Sequence, residues 1–247
     1  MLVGLEKMIY VKNRENRFFK VLSRITAFYA TLMIAILLGL YIIVAYIFRK
    51  KEVFFRKLVT KSILLTSGLK TEIKGKEDPE AQMFIINHKS LLDIMIMEAI
   101  TTKDVLWIAK KELFKMPFYK YILILPRAVS LNRESSKSII DLLRGVKKGA
   151  EENRVTCIFP EGTRNVDPNI EMIEFKKGAE IVANKLNLRV QPVVMVNTEK
   201  RLNSSDFRHS FGKVKVIYLD AFNVSKDSGE WLDKTREDMI KVYRENL

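Results

Sequence analysis

Met83-Phe84-Ile85-Ile86-Asn87-His88-Lys89-Ser90-Leu91-Leu92-Asp93 runs from four apolar residues into a cluster of polar ones. A short apolar run of this kind is what a strand covered on both faces requires. Ser90 with an acid three positions later has the form of a helix capping box, so a helix is expected to start at about Ser90. The stretch therefore reads as a buried strand whose carboxyl end turns into a helix.

The same alternation continues on either side. Strands are expected at residues 71–74, 83–87, 105–109, 128–131, 155–159, 190–196 and 214–219, several of them apolar throughout. Helical spacing appears at residues 90–101, 135–152, 174–187 and 230–246. Strands alternating with helices predict an α/β fold, with a mostly parallel central sheet flanked by helices and ligands near the carboxyl ends of the strands. Pro192, within the strand at 190–196, by itself suggests an edge position or a bulge.

Ahead of this body, residues 25–48 form 24 consecutive uncharged positions. As a helix they would measure about 36 Å, against about 30 Å of bilayer hydrocarbon. The run leads straight into Arg49-Lys50-Lys51 rather than a small-residue cleavage site, so an uncleaved anchor fits better than a signal peptide. Residues 1–24 carry a net charge of +4 and residues 49–61 a net +5, so the positive-inside rule names no winner. Two equally basic flanks suit a segment with both ends on the cytoplasmic side, bent near Gly39 or lying in one leaflet. A spanning helix also meets the length. Residues 1–66 are accordingly assigned to an N-terminal membrane-embedded helical segment, and 67–247 to the α/β domain.

Of the 247 residues, 43 are Lys or Arg and 29 Asp or Glu, a net charge of +14 that calls for anionic partners. The apolar segment decides for lipid over nucleic acid. Cys157 is the only cysteine and the two histidines, His88 and His209, lie 121 residues apart, so neither a disulfide nor a zinc site is expected.

His88 would sit two residues before the helix cap and Asp93 in the first turn, where the carboxylate can point back at the imidazole. On one uninterrupted helix a spacing of five would set them about 140° apart. A carboxylate on one ring nitrogen fixes the tautomer and leaves the other free to take a proton from a hydroxyl. Taken alone, a His-x4-Asp pattern is more often a capped helix than a base.

A second polar cluster follows the strand at 155–159. Pro160 ends that strand, and Glu161-Gly162-Thr163-Arg164 forms a turn in which Gly162 permits positive φ and Arg164 offers donors suited to phosphate. Arg133 stands at the end of the strand at 128–131. Lys110, Lys111 and Lys115, after the strand at 105–109, either attract phosphates of substrate or donor or form a solvated face. Cys157, inside a strand, reads as buried packing.

The order of these segments resembles the glycerophospholipid acyltransferases. Asn87-His88-Lys89-Ser90-Leu91-Leu92-Asp93 is similar to that family's first motif, Phe159-Pro160-Glu161-Gly162-Thr163-Arg164 to its third, and Val190-Gln191-Pro192-Val193 to its fourth. The resemblance runs from about residue 71 to 196 and is strongest to members that acylate lysophosphatidic acid. It implies that His88 deprotonates the acceptor hydroxyl, that Asp93 orients the imidazole, and that Arg133, Glu161, Gly162, Thr163 and Arg164 hold the glycerol phosphate. It further implies acyl transfer from acyl-CoA or acyl carrier protein to the sn-2 hydroxyl of lysophosphatidic acid, giving phosphatidic acid in phospholipid biosynthesis at the cytoplasmic face of the cell membrane. Glycerol 3-phosphate, another lysophospholipid, or water in a thioesterase are the alternative acceptors. No resident cofactor or metal is implied, and the sequence has no G-x-S-x-G elbow for an acyl-enzyme route. Backbone N–H groups near Gly162 are candidates for holding the oxyanion. One departure stands out: six residues before Arg133 the family's second motif carries Gly, and here Arg127 follows Pro126.

Overall fold

The computed structural model describes residues 17–131, 137–203 and 205–247. All seven expected strands form: β1 (Leu69–Lys74), β2 (Met83–Ile86), β3 (Asp104–Lys110), β4 (Val129–Leu131), β5 (Arg154–Ile158), β6 (Arg189–Val196) and β9 (Gly212–Tyr218). Short strands not foreseen are β7 (Leu202–Asn203), β8 (Arg208–His209) and β10 (Phe222–Asn223). The main sheet has the order β1-β9-β6-β2-β5-β3-β4. Its neighbours are parallel except where β9, and the brief β10, run antiparallel to β6. β7 and β8 form a separate hairpin.

Period-two alternation divides the strand residues between two cores. Phe84 and Ile86 face one side with Val105, Trp107 and Cys157, while Met83 and Ile85 face the other with Ile158 and Val194. The first side is covered by α1 (Arg17–Ile47), α2 (Glu52–Thr66) and α3 (Leu92–Ile100). The second is covered by α5 (Lys137–Glu151), α6 (Gly178–Leu186) and α8 (Trp231–Glu245). Two shorter helices, α4 (Pro117–Ile124) and α7 (Thr198–Arg201), complete the set among the described residues.

The helix expected over 174–187 begins only at Gly178. Phe175 is buried in the core and the N–H of Lys176 donates to Pro160 O at 2.8 Å, which keeps the approach extended against the Pro160 turn. α4 was not foreseen, although Pro117 occupies its first turn, where a missing N–H costs nothing.

Pro192 corrects the edge reading, because β6 lies inside the sheet between β9 and β2. Its carbonyl accepts from Leu219 N–H at 3.0 Å, so its nitrogen faces the same side, where the neighbouring chain leaves β9 and returns as β10. The ladder is already broken there, and no donor is missed.

α1 is one unbroken helix through Gly39 rather than a bent pair, long and apolar enough to cross a membrane. Ala27, Ala30, Ile34, Leu38, Tyr41 and Ala45 form a buried stripe along it, while Ile25, Phe28, Leu32, Ile36, Leu40 and Ile43 point outward. The hydroxyls of Ser23 and Thr26 donate to His209 O, and Tyr41 donates to Glu52. The N-terminal helices thus share a core with the sheet.

Candidate active site

β2, β5, β3 and β4 run parallel, so the segments leaving their carboxyl ends gather on one edge of the sheet. β2 and β5 are direct neighbours, with Ile85 paired to Ile158, and this places His88 beside the turn that follows Phe159. His88 and Phe159, distant in sequence, are brought into contact through strand pairing.

Asp93 is fully buried, and one carboxylate oxygen collects three donors. His88 Nδ1 lies 2.9 Å from Oδ2, and the N–H groups of Lys89 and Ser90 each donate to it at 2.8 Å. The bond from Ser90 N–H is the reciprocal half of the expected capping box. The helix itself starts two residues later, at Leu92, and Ser90 Oγ accepts from Leu92 N–H at 3.3 Å while donating to Leu202 O at 2.7 Å. The same carboxylate oxygen thus ties down the turn before the helix and orients His88. With Nδ1 engaged, Nε2 has no hydrogen-bond partner among the described residues, and the His88 side chain is only 13% exposed.

The Pro160 turn grips His88 from both sides. His88 N–H donates to Glu161 Oε1 at 2.7 Å, and His88 O accepts from Asn165 N–H at 2.7 Å. Glu161 Oε2 accepts from Ile173 N–H at 3.1 Å, and the residue is buried. Glu161, expected among the groups holding phosphate, is turned inward instead and holds the backbone of His88. Burial pushes its carboxyl up to about 7, against the lowering effect of the two backbone bonds it accepts.

Gly162 has φ 71°, the left-handed conformation for which glycine was expected. Its own N–H donates to Phe159 O at 2.9 Å, so this donor is already engaged. Thr163 and Arg164 are exposed on the rim. Arg164 lines a shallow hollow with Lys89, Asn165, Asp167, Glu199 and Asn203. Arg133 lies outside the described residues.

Several residues of the site carried no assigned role in the sequence reading. The Phe159 ring stacks on His88 with centroids 3.9 Å apart and planes within 14°, and Trp107 stacks behind Phe159 at 5.4 Å. Trp107 Nε1 donates to buried Glu98 at 2.7 Å, closing an aromatic pile that fixes the imidazole plane. Asn87 exchanges both amide bonds with the backbone of Met195, at 2.9 and 2.7 Å, which extends the β2–β6 ladder with a side chain. An amide ending a buried apolar strand was the only signal for it.

The remaining candidates fall elsewhere. Cys157 is fully buried in β5 and burial raises its thiol well above the ordinary range. His209 Nε2 donates to Ser67 O at 3.1 Å in the hairpin region, and burial pushes its pKa down. Arg127 adopts φ 55°, so the position where the resembled family has glycine keeps a glycine-like backbone while carrying an arginine.

An acyltransferase family model matches residues 70–196. A 1-acyl-sn-glycerol-3-phosphate acyltransferase of Helicobacter pylori is 33% identical over 222 residues, 90% of this chain and 93% of the relative. One of Saccharomyces cerevisiae is 30% identical over 73% of this chain and 62% of its own length. The crystal structure of the 1-acyl-sn-glycerophosphate (LPA) acyltransferase from Thermotoga maritima superposes with a TM-score of 0.69, covering 93% of this chain and 95% of that one at 19% identity, which shows a shared fold. With its matched region holding the His88–Asp93 pair and the turn that clasps it, this chain belongs to the acyltransferase family.

Proposed function

We propose that the chain transfers an acyl group from a thioester to the free sn-2 hydroxyl of lysophosphatidic acid, giving phosphatidic acid. The observation that carries this reading is the His88–Asp93 pair, whose buried carboxylate holds Nδ1 while Nε2 stays open. The acceptor hydroxyl gives its proton to Nε2 as its oxygen attacks the thioester carbonyl. The tetrahedral intermediate then collapses with cleavage of the C–S bond, and the departing thiolate takes the proton from the imidazolium. Asp93 keeps the ring in the right tautomer throughout and balances its transient charge. Arg164 and Thr163, exposed beside the pair, would meet the acceptor phosphate, a role that the family resemblance also gives to Arg133. The names of the Helicobacter and yeast relatives favour lysophosphatidic acid over glycerol 3-phosphate as acceptor. The donor is acyl-CoA or acyl carrier protein, both of which present the same thioester.

The attachment that fits this chemistry is monotopic, on the cytoplasmic leaflet where the thioester arrives. The buried stripe of α1 extends from Ala27 to Ala45, so the body lies along most of the helix. A helix crossing the bilayer in that arrangement would carry the polar edges of the sheet into hydrocarbon, at several kcal/mol for each unsatisfied backbone group. With α1 lying in one leaflet, only its outward apolar face is immersed.

A panel of acceptors, each offered acyl-CoA and acyl carrier protein thioesters, tests the assignment. Lysophosphatidic acid should be converted to phosphatidic acid, and His88→Ala should lower that rate by several orders of magnitude with membrane association intact. Absence of turnover with lysophosphatidic acid removes it as substrate, and fatty acid released without acceptor marks a thioesterase.

A further inference from the structure

We propose that α4 is a second membrane-contact element, seating its aromatic face at the boundary between headgroups and acyl chains of the leaflet that holds α1. The proposal rests on the reading of α1 as a leaflet-bound helix. α4 has the sequence Pro117-Phe118-Tyr119-Lys120-Tyr121-Ile122-Leu123-Ile124, with one charge, yet not one of its residues is buried. Phe118 is 40% exposed, Tyr119 39%, Tyr121 52% and Ile124 48%, with Met116 just ahead at 45%. Five large apolar side chains are exposed within nine residues, a density above the scattered exposure of an ordinary surface.

Continuity and charge identify what covers it. α4 touches α1, and its inner edge, Ile122 with the following Leu125, joins the same core side as Leu37 and Ile42 of α1. α4 therefore lies beside α1, whose Ile36, Leu40 and Ile43 are likewise exposed. On its other flank the 3-10 turn Lys111–Lys115 packs against it, and Lys110, Lys111, Lys115 and Lys120 are all exposed. Aromatic rings bordered by lysines are the composition of a membrane interface, where the rings sit at headgroup depth and the ammonium groups reach anionic phosphates. A second copy of the chain is a poor occupant, because four lysines would meet four lysines. The outer face of the helix, about 12 Å by 10 Å, is also far below the roughly 800 Å² per partner of a stable interface.

The placement has a consequence for the site. α4 follows β3 from its carboxyl end, the edge that also carries His88. Seating α4 at the headgroups brings that edge to the surface where an acceptor lipid presents its hydroxyl.

Depth-dependent quenching tests this in the full chain. Cys157 is buried, so Tyr121→Cys, Ile36→Cys on the outer face of α1, and Asp238→Cys on exposed α8 can each be labelled selectively with an environment-sensitive fluorophore. Each labelled protein is reconstituted in phosphatidylcholine and phosphatidylglycerol vesicles containing nitroxide-labelled lipid. Quenching at position 121 should fall within about twofold of that at 36, with blue-shifted emission, while 238 stays unquenched. If 36 is quenched and 121 behaves like 238, α4 is not a membrane element although α1 remains one. If neither is quenched, the leaflet-bound reading of α1 fails and this proposal with it. Disulfide formation between copies of the Tyr121→Cys variant, with the label unquenched, would make a second chain the occupant and overturn the proposal.

Discussion

Asp93 combines two tasks that substitution can separate. Asp93→Asn retains an oxygen for the N–H groups of Lys89 and Ser90 but removes the charge facing Nδ1. Its rate should drop on the order of 10³ to 10⁴-fold with little change in melting temperature. Asp93→Ala should lose activity similarly and also melt lower, since two buried N–H groups are orphaned at about 1–3 kcal/mol each. Initial rates and thermal unfolding in detergent read both effects; full activity in the Asn variant would mean that the charge is not used. Glu161 sets a pH dependence of stability. The folded chain holds its proton up to about 7 and the unfolded chain to an ordinary 4.5, so the contribution is complete below 4.5 and is lost as pH rises to about 7. The difference corresponds to about 3 kcal/mol. Glu161→Gln should therefore remove a fall in melting temperature between pH 5 and 8 that the parent shows, and parallel curves would contradict it. Both residues were legible as members of polar motifs. The inward turn of Glu161 was not, because its two N–H partners come from residues 88 and 173, on other segments.

Among the elements, α4 ends in a Schellman motif. Ala128 N–H donates to Leu123 O at 2.9 Å and Arg127 N–H to Ile124 O at 3.0 Å, with Arg127 in the left-handed position normally given to glycine. The left-handed conformation costs a residue with a Cβ about 1–2 kcal/mol. The exposed pair of Arg127 with Glu152, at 2.9 Å, returns little of it. Arg127→Gly should raise stability by about 0.5–1 kcal/mol, after the entropy that glycine adds to the unfolded chain, measured as a higher melting temperature. A lower one would mean that the Glu152 pair outweighs the strain. The seven main strands were legible because alternating or continuous apolar runs leave few other conformations. α6 began late because the tertiary bond from Lys176 to Pro160 overrode local helical preference.

Across the whole molecule, a buried cluster of charges fastens the N-terminal helices to the sheet. Arg56 on α2 is 5% exposed and pairs with Glu52, with Glu98 on α3 at 3.2 Å and with Asp104 at the start of β3. Arg154 of β5 reaches Asp104 at 2.9 Å. Burial pushes the Glu98 carboxyl up, and the Arg56 guanidinium opposes that shift. Arg56→Ala strands this carboxylate and should cost about 3–5 kcal/mol. Adding Glu98→Gln should recover part of the loss, a coupling that a double-mutant cycle in thermal unfolding detects. Strict additivity would show that the two groups act independently. Since Glu98 also accepts from Trp107, behind the Phe159–His88 stack, the same cluster joins the N-terminal helices to His88.

The α/β alternation, the apolar helix and the two polar motifs could be read from the amino-acid order, because these follow from local periodicity, caps and residue chemistry within a few positions. Folding in three dimensions was needed to show that α1 lies along the body, that Pro192 sits inside the sheet, that Glu161 frames His88, and that Arg56, Glu98 and Arg154 are buried around Asp104. These features depend on which distant segments meet. A charged side chain reads as solvated in sequence until strand and helix pairing closes a low-dielectric space around it and supplies its partners.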